Sequence, residues 1–233
     1  IHTPPYAFAA YTPLYYAIAA LPLKLTGLSY LPARGITLLA LISIGWAFAL
    51  LTRTWRRKPV DGLWAVCLAV LIPAILYNGV RSHPQMMAVA LSVWSLVFFL
   101  RDRWFPSLVI SPLLAVLAFY TKQSQITLPI AMVLYLAWNR RQWLLPYVSV
   151  GLAAGLVPFL WLQKATGGLF FLDAFRLANL SFDPAAIPVE LLHWAGPAFL
   201  FIGVAVVSLW RRFRQKQWGA LDWYLACSFP ITI

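Results

Sequence analysis

Apolar residues fill this chain in long runs, and each run stops at a short polar break. The runs cover roughly residues 34–52, 60–77, 85–100, 105–120, 125–138, 145–162, 195–210 and 219–233. Crossing a bilayer takes about 20 helical residues, with about 17 as a working minimum. Backbone groups in lipid must be satisfied within their own segment, and the runs lack the alternation of barrel strands. The pattern therefore predicts an all-α fold, a polytopic transmembrane helical bundle of about eight spans.

The breaks are of two kinds that alternate along the chain. RTWRRK (53–58), RDRW (101–104), NRRQW (139–143) and RRFRQK (211–216) hold 12 of the 18 lysines and arginines. NGVRSHP (78–84), TKQSQ (121–125) and the stretch Gln163 to Trp194 hold four: Arg81, Lys122, Lys164 and Arg176. Lys24 precedes the first of these runs and Arg34 opens it. Basic loops stay on the cytoplasmic side, so the first set is expected inside and the second outside. The expected organisation over 1–233 is a single transmembrane domain. It has an outer-face interfacial segment at 1–33, six membrane spans in 34–162 and an outer loop at 163–194. Two further spans occupy 195–233, the last of them truncated. Residues 13–27 are expected to form an amphipathic interfacial helix with Tyr15, Tyr16 and Lys24 at headgroup level. A ninth span there is disfavoured by Pro22 and Lys24.

Composition agrees with a membrane chain: 62% of residues are hydrophobic and 10% charged, with a mean hydropathy of +0.78. The net charge of +12 would point a soluble protein towards nucleic acid. Here most of it is explained by the loop asymmetry, so the expected partners are membrane lipids and no nucleic acid. Cys67 and Cys227 form no disulfide framework, and neither they nor the three histidines have metal-ligand spacing. No metal residue and no cofactor are assigned, with a divalent metal left open. The chain begins at Ile1 without a signal-peptide pattern and stops within an apolar run, so it is read as an internal fragment.

Ionisable groups at membrane depth are costly, which makes them functional candidates. Lys122 leads, because Thr121, Gln123, Ser124 and Gln125 surround it. An ammonium among hydroxyls and amides suits a phosphate group, while the plain alternative is a lysine snorkelling at a helix end. Arg81 and His83 lie where an outer turn enters a helix opened by Pro84, whose first-turn N–H groups suit an anion. A simple polar turn begun by Asn78-Gly79 accounts for the same residues. YTPLYY (11–16) reads equally as an interfacial aromatic belt. Asp173, Asp183 and Glu190 stand too far apart to be paired, and Asn179-Leu180-Ser181 matches a glycosylation sequon.

Three stretches resemble membrane glycosyltransferases of the GT-C fold. That superfamily uses polyprenyl-phosphate sugars and includes the dolichyl-phosphate-mannose mannosyltransferases and aminoarabinose transferases. YTPLYYAIAALPLKLTGLSYLPARGITLLALI is similar to its Tyr-x-Pro-Leu-Tyr-Tyr element, through Tyr11, Pro13, Leu14, Tyr15, Tyr16, Leu25, Gly27 and Arg34. RSHPQMMAVALSVWSLVFFLRDR resembles the polar turn that leads into a helix with a basic end. LAFYTKQSQITLPIAMVLYLAWNRR is similar to the Thr-Lys-Gln-Ser/Thr element followed by a proline-containing helix and an arginine pair. The resemblance implies an enzyme that transfers a hexose or pentose from a polyprenyl-phosphate donor on the non-cytoplasmic face. By the same resemblance Lys122 holds the donor phosphate, with Arg81 and Lys24 as further phosphate ligands. Tyr11, His83, Gln85, Gln123 and Ser124 would line the site. The family's catalytic aspartate is expected upstream of Ile1, and the acceptor is unknown. The implied location is a bacterial inner membrane, multi-pass, active face outward. A transporter or flippase for a lipid-linked anion, or a noncatalytic membrane subunit, are the alternatives.

Overall fold

A computed structural model of the chain describes residues 12–27, 30–54, 84–171, 199–215 and 218–231. The run at 60–77, the candidates Tyr11, Arg81 and His83, and most of the stretch 163–194 lie outside the described residues. Helix α1 covers Leu14–Thr26 and α2 Tyr30–Thr54. Helix α3 covers Pro84–Phe99, and a π-helical turn at Pro106–Ile110 leads into α4, Ser111–Thr121. A 3-10 turn at Gln123–Ile126 opens α5, Thr127–Asn139. Then come α6 (Arg141–Ala165), the single turn α7 (Leu169–Phe171), α8 (Phe199–Arg214) and α9 (Ala220–Ile231). No strand occurs among the described residues, so the all-α expectation holds.

Among the described residues two helices are long and apolar enough to cross a membrane, Tyr30–Thr52 and Arg141–Ala165. At 1.5 Å per residue the second runs roughly 37 Å, beyond the ~30 Å of a hydrocarbon core. Pro84–Phe99 and Pro106–Thr121 are apolar but shorter. Much of α6 faces outward, with Leu145, Leu152, Leu156, Val157, Leu160 and Trp161 exposed. In lipid such a surface carries no penalty, and it gives helices no hydrophobic reason to associate.

What joins the helices is close approach of small residues and hydrogen bonds between them. Helix α3 packs against both α2 and α4, α4 and α5 against α6, and α9 along α5. The contact surfaces bury Ala47, Ala88, Ala115, Ala118 and Ala131 completely or nearly so. The hydroxyl of buried Ser95 on α3 donates to the Ser111 carbonyl at 2.7 Å, at the start of α4. Gly151 and Gly155 of α6 form a small-xxx-small pair facing α4: a Cβ at Gly151 would meet Pro112 Cβ at 3.7 Å. The Tyr120 hydroxyl donates to the Gly155 carbonyl at 2.6 Å. The π-helical turn has a local cause. Pro112 offers no N–H and its ring crowds the carbonyl four residues back, so the ladder shifts and Ser111 N–H bonds to the Pro106 carbonyl.

Helix ends sort into two groups. Arg140, which follows α5, pairs with Asp102 in the turn between α3 and the π-helical turn. Its second N–H donates to Asp102 Oδ2 at 2.9 Å. That gathers RDRW and NRRQW at one end of the bundle. At the other end Lys122 meets Gln85, and Thr12 Oγ1 donates to the Phe119 carbonyl at 2.9 Å. Helix α6 continues to Ala165, past the expected end at 162, since Gln163 and Lys164 extend a helix readily. The chain then doubles back at Gly167 and Gly168, whose φ of 61° and 92° suit glycine. Phe170 returns to pack on Phe159 with ring centroids 5.7 Å apart, beside Tyr120.

Candidate functional site

The polar end of the bundle is built by three segments far apart in sequence. Helix α4 stops at Thr121, which returns its hydroxyl to the Leu117 carbonyl at 2.8 Å. Lys122 is then extended (φ −154°, ψ 123°), and this one non-helical residue redirects the chain into the 3-10 turn. Its backbone stays satisfied, with its N–H on the Ala118 carbonyl at 2.9 Å and its carbonyl accepting from Gln125 N–H at 3.1 Å. The break is thus a held kink, and it places the lysine side chain beside the first turn of α3.

There the Lys122 ammonium donates to the Gln85 side-chain carbonyl. Burial pushes the pKa of that ammonium below the ordinary lysine value of 10.5. A neutral amide satisfies a donor without cancelling its charge. Two turns further along α3, Ser92 Oγ donates to Gln125 Oε1 at 2.8 Å, with both residues buried. This second bond joins the same two segments, so α3 and the TKQSQ break are stitched twice. Thr12 adds the third segment through its bond to the last turn of α4. Tyr15, Leu14, Tyr120 and Phe170 place aromatic and aliphatic bulk at this same end.

Of the residues expected from sequence, Lys122 and Gln85 are brought into direct contact. Gln123 and Ser124 lie on the 3-10 turn, half-buried, next to Lys122. Lys24 occupies the last turn of α1 with an exposed side chain, and no contact described here joins it to that group. Sequence reasoning names Gln125 only as a neighbour of Lys122 and leaves out Ser92 and Thr12 as site-building residues. Gln125 and Ser92 had a signal: Gln85 and Ser92 are seven apart on one helical face, opposite a glutamine in the polar break. Ser92→Ala should lower stability by about 1 kcal/mol, the usual scale of an interhelical hydrogen bond in membranes. Steric-trapping or SDS-titration unfolding in bicelles measures it, and an unchanged midpoint would remove this bond from the account.

At this corner a cation of lowered pKa lies beside hydroxyls and the first turn of a helix, donor chemistry of the kind that suits an anion. No residues among those described group as a metal site. Comparison with known proteins places this corner in context. A family model described as dolichyl-phosphate-mannose-protein mannosyltransferase matches residues 10–162, which includes α1 to α5, most of α6 and every residue of the corner. No curated protein and no solved structure matches the chain.

Proposed function

From the premise that this chain belongs to the dolichyl-phosphate-mannose-protein mannosyltransferase family, we propose that the protein transfers a sugar from a polyprenyl-phosphate donor to an acceptor at the non-cytoplasmic face. The chain is a membrane protein of the GT-C glycosyltransferase type, on the family match and its two long apolar helices. The observation that carries the finer reading is Lys122: a partly buried ammonium, at a polar kink, held by the neutral amide of Gln85. In this reading the ammonium binds the phosphate that links carrier to sugar. As the glycosidic bond to that phosphate breaks, negative charge grows on the departing oxygen, and a fixed cation there stabilises the transition state. Gln85 aims the lysine, and the first turn of α3 adds the positive end of its dipole. Arg81 is proposed to approach the same phosphate, and Tyr11, His83, Gln123 and Ser124 to line the site around the sugar. Lys24, at the end of α1, would meet the phosphate only from the interface. None of these residues is assigned as the base that activates the acceptor.

Orientation follows from the charge asymmetry. The end that carries Arg101, Arg103, Arg140 and Arg141 is read as cytoplasmic, and the Lys122 end as outer. The multi-pass topology, with α1 lying on the outer interface, belongs to the same proposal, as does an outward-facing site in a bacterial inner membrane.

The test is sugar transfer by the full-length protein in nanodiscs, supplied with polyprenyl-phosphate donors across pH. The lysine binds phosphate only while protonated, and its pKa is lowered. Activity should therefore fall on the alkaline side at a pH below the ordinary lysine value of 10.5. In Lys122→Arg the guanidinium keeps its charge there, so that limb should flatten. Identical alkaline limbs in wild type and Lys122→Arg would detach the lysine from donor binding. A protein that moves the donor across the bilayer without transferring sugar would support the transporter alternative instead.

A further inference from the structure

At the opposite end of the bundle lies a cleft that the proposed reaction does not use. Phe99, Leu100, Asp102, Tyr135, Leu136, Arg140 and Trp143 enclose a volume of about 140 Å³. Sites for drug-sized ligands run to roughly 300–1,000 Å³, so this one fits a headgroup and not a sugar nucleotide or a peptide segment. Its floor is aromatic: Phe99 meets the Tyr135 ring edge-on, with centroids 5.7 Å apart. The Arg140 guanidinium lies 5.1 Å from the centre of the Trp143 ring, which fixes its plane. Asp102 takes two of the five guanidinium N–H groups, and the arginine side chain stays 37% exposed.

Two features give the cleft its depth and its ligand. Trp104 and Trp138, beside it in sequence, are 62% and 79% exposed, as expected for indoles at headgroup level. The two breaks joined by the ion pair carry four arginines, Arg101, Arg103, Arg140 and Arg141, against Asp102 alone. Arg141 spends its Nε on the Ala137 carbonyl at 3.2 Å, and Arg101 stacks on Phe98 at 4.9 Å. Among the described residues Arg140 is the cation that lines the cavity.

We propose that this cleft binds the headgroup of an anionic phospholipid, whose phosphate is held by Arg140 and whose acyl chains run along the outward-facing apolar surface of α6. Basic pockets between helices on the cytoplasmic side are suited to such headgroups, and a planar fork suits phosphate oxygens. Asp102 then has a definite role. It occupies the fork when no lipid is present and competes with the phosphate for it.

The competition gives a test with opposite signs. The full-length protein in detergent is offered equal amounts of phosphatidylglycerol and phosphatidylcholine, and retained lipid is read by native mass spectrometry. Wild type should retain phosphatidylglycerol about tenfold over phosphatidylcholine, the scale of one charge-assisted pair. Arg140→Gln should erase the preference, while Lys164→Gln, at the other end of the bundle, should leave it. Asp102→Asn frees the fork and should raise phosphatidylglycerol retention severalfold; losing this exposed pair costs little stability, so the variant should fold. Equal retention of both lipids by wild type, an unaltered preference in Arg140→Gln, or a lowered one in Asp102→Asn would each overturn the site. In a second mixture, with phosphatidylethanolamine in place of phosphatidylcholine, preference for the ethanolamine lipid would place an ammonium on Asp102 and overturn the anionic assignment. Displacement of the lipid by millimolar inorganic phosphate would assign the cleft to a free anion instead.

Discussion

Lys122→Ala is expected to lower sugar transfer by about a hundredfold or more, the range seen when a preorganised group facing developing charge is removed. The expectation rests on where the ammonium lies. It is held by Gln85, partly withdrawn from solvent, at a kink where the N–H and the carbonyl of Lys122 are both hydrogen-bonded. Removing it costs one of the two bonds between α3 and the break. The Ser92–Gln125 bond remains and the helix end is held by Thr121 and the backbone of residue 122, so the fold should stay in place. Lys122→Arg should recover part of the loss, since the charge returns on a bulkier, planar group that Gln85 does not match as well. Initial rates in nanodiscs, on protein with matched unfolding midpoints, separate this from a folding defect. Wild-type rates in both variants would make Lys122 a snorkelling anchor.

The second large effect is on stability. Gly155→Leu should destabilise the bundle by about 2 kcal/mol or more, the upper range for forcing extra carbons into a packed contact. Gly155 faces α4, where a Cβ would already reach Val116 Cγ2 at 4.0 Å. A methyl fits at that distance, so Gly155→Ala should change little. A leucine must push α6 away, and this parts the Tyr120 hydroxyl from its carbonyl partner and leaves it unsatisfied in an apolar surrounding. Unfolding in bicelles by SDS titration measures both variants. Equal stability of the leucine and alanine proteins would contradict the packing of α6 on α4.

The same contact shows what the sequence makes legible and what it hides. Apolar runs ended by basic or polar breaks place α2, α3, α5 and α6 within a few residues, because lipid and backbone hydrogen bonding leave a long apolar run only one structure. The run at 105–120 was equally visible. Its π-helical turn was not, although Pro106 and Pro112 mark the spot, because whether a proline kinks, caps or shifts a ladder depends on its neighbours. The bond from Tyr120 to Gly155 joins residues 35 apart, and no local pattern encodes it.

For the candidate site, residue types were readable and their meetings were not. Lys122 and Gln85 stood out as polar groups beside apolar runs, yet their contact depends on α3 and α4 lying antiparallel. Serine in an apolar helix is common, so Ser92 does not stand out by itself; only its facing of Gln125 makes it structural. Lys24 was grouped with Lys122 through charge and resemblance alone. It proves to be exposed at the end of α1.

The central claim, that Lys122 receives the donor phosphate, is tested most directly by nitrogen–phosphorus dipolar recoupling in solid-state magnetic resonance. Full-length protein with 15N-labelled lysine side chains is mixed with polyprenyl phosphate in bilayers. One lysine ammonium should lose signal to phosphorus beyond the lipid background, and that loss should vanish in Lys122→Ala while persisting in Lys164→Gln. Dephasing that survives in Lys122→Ala, or none above background in wild type, would contradict the account.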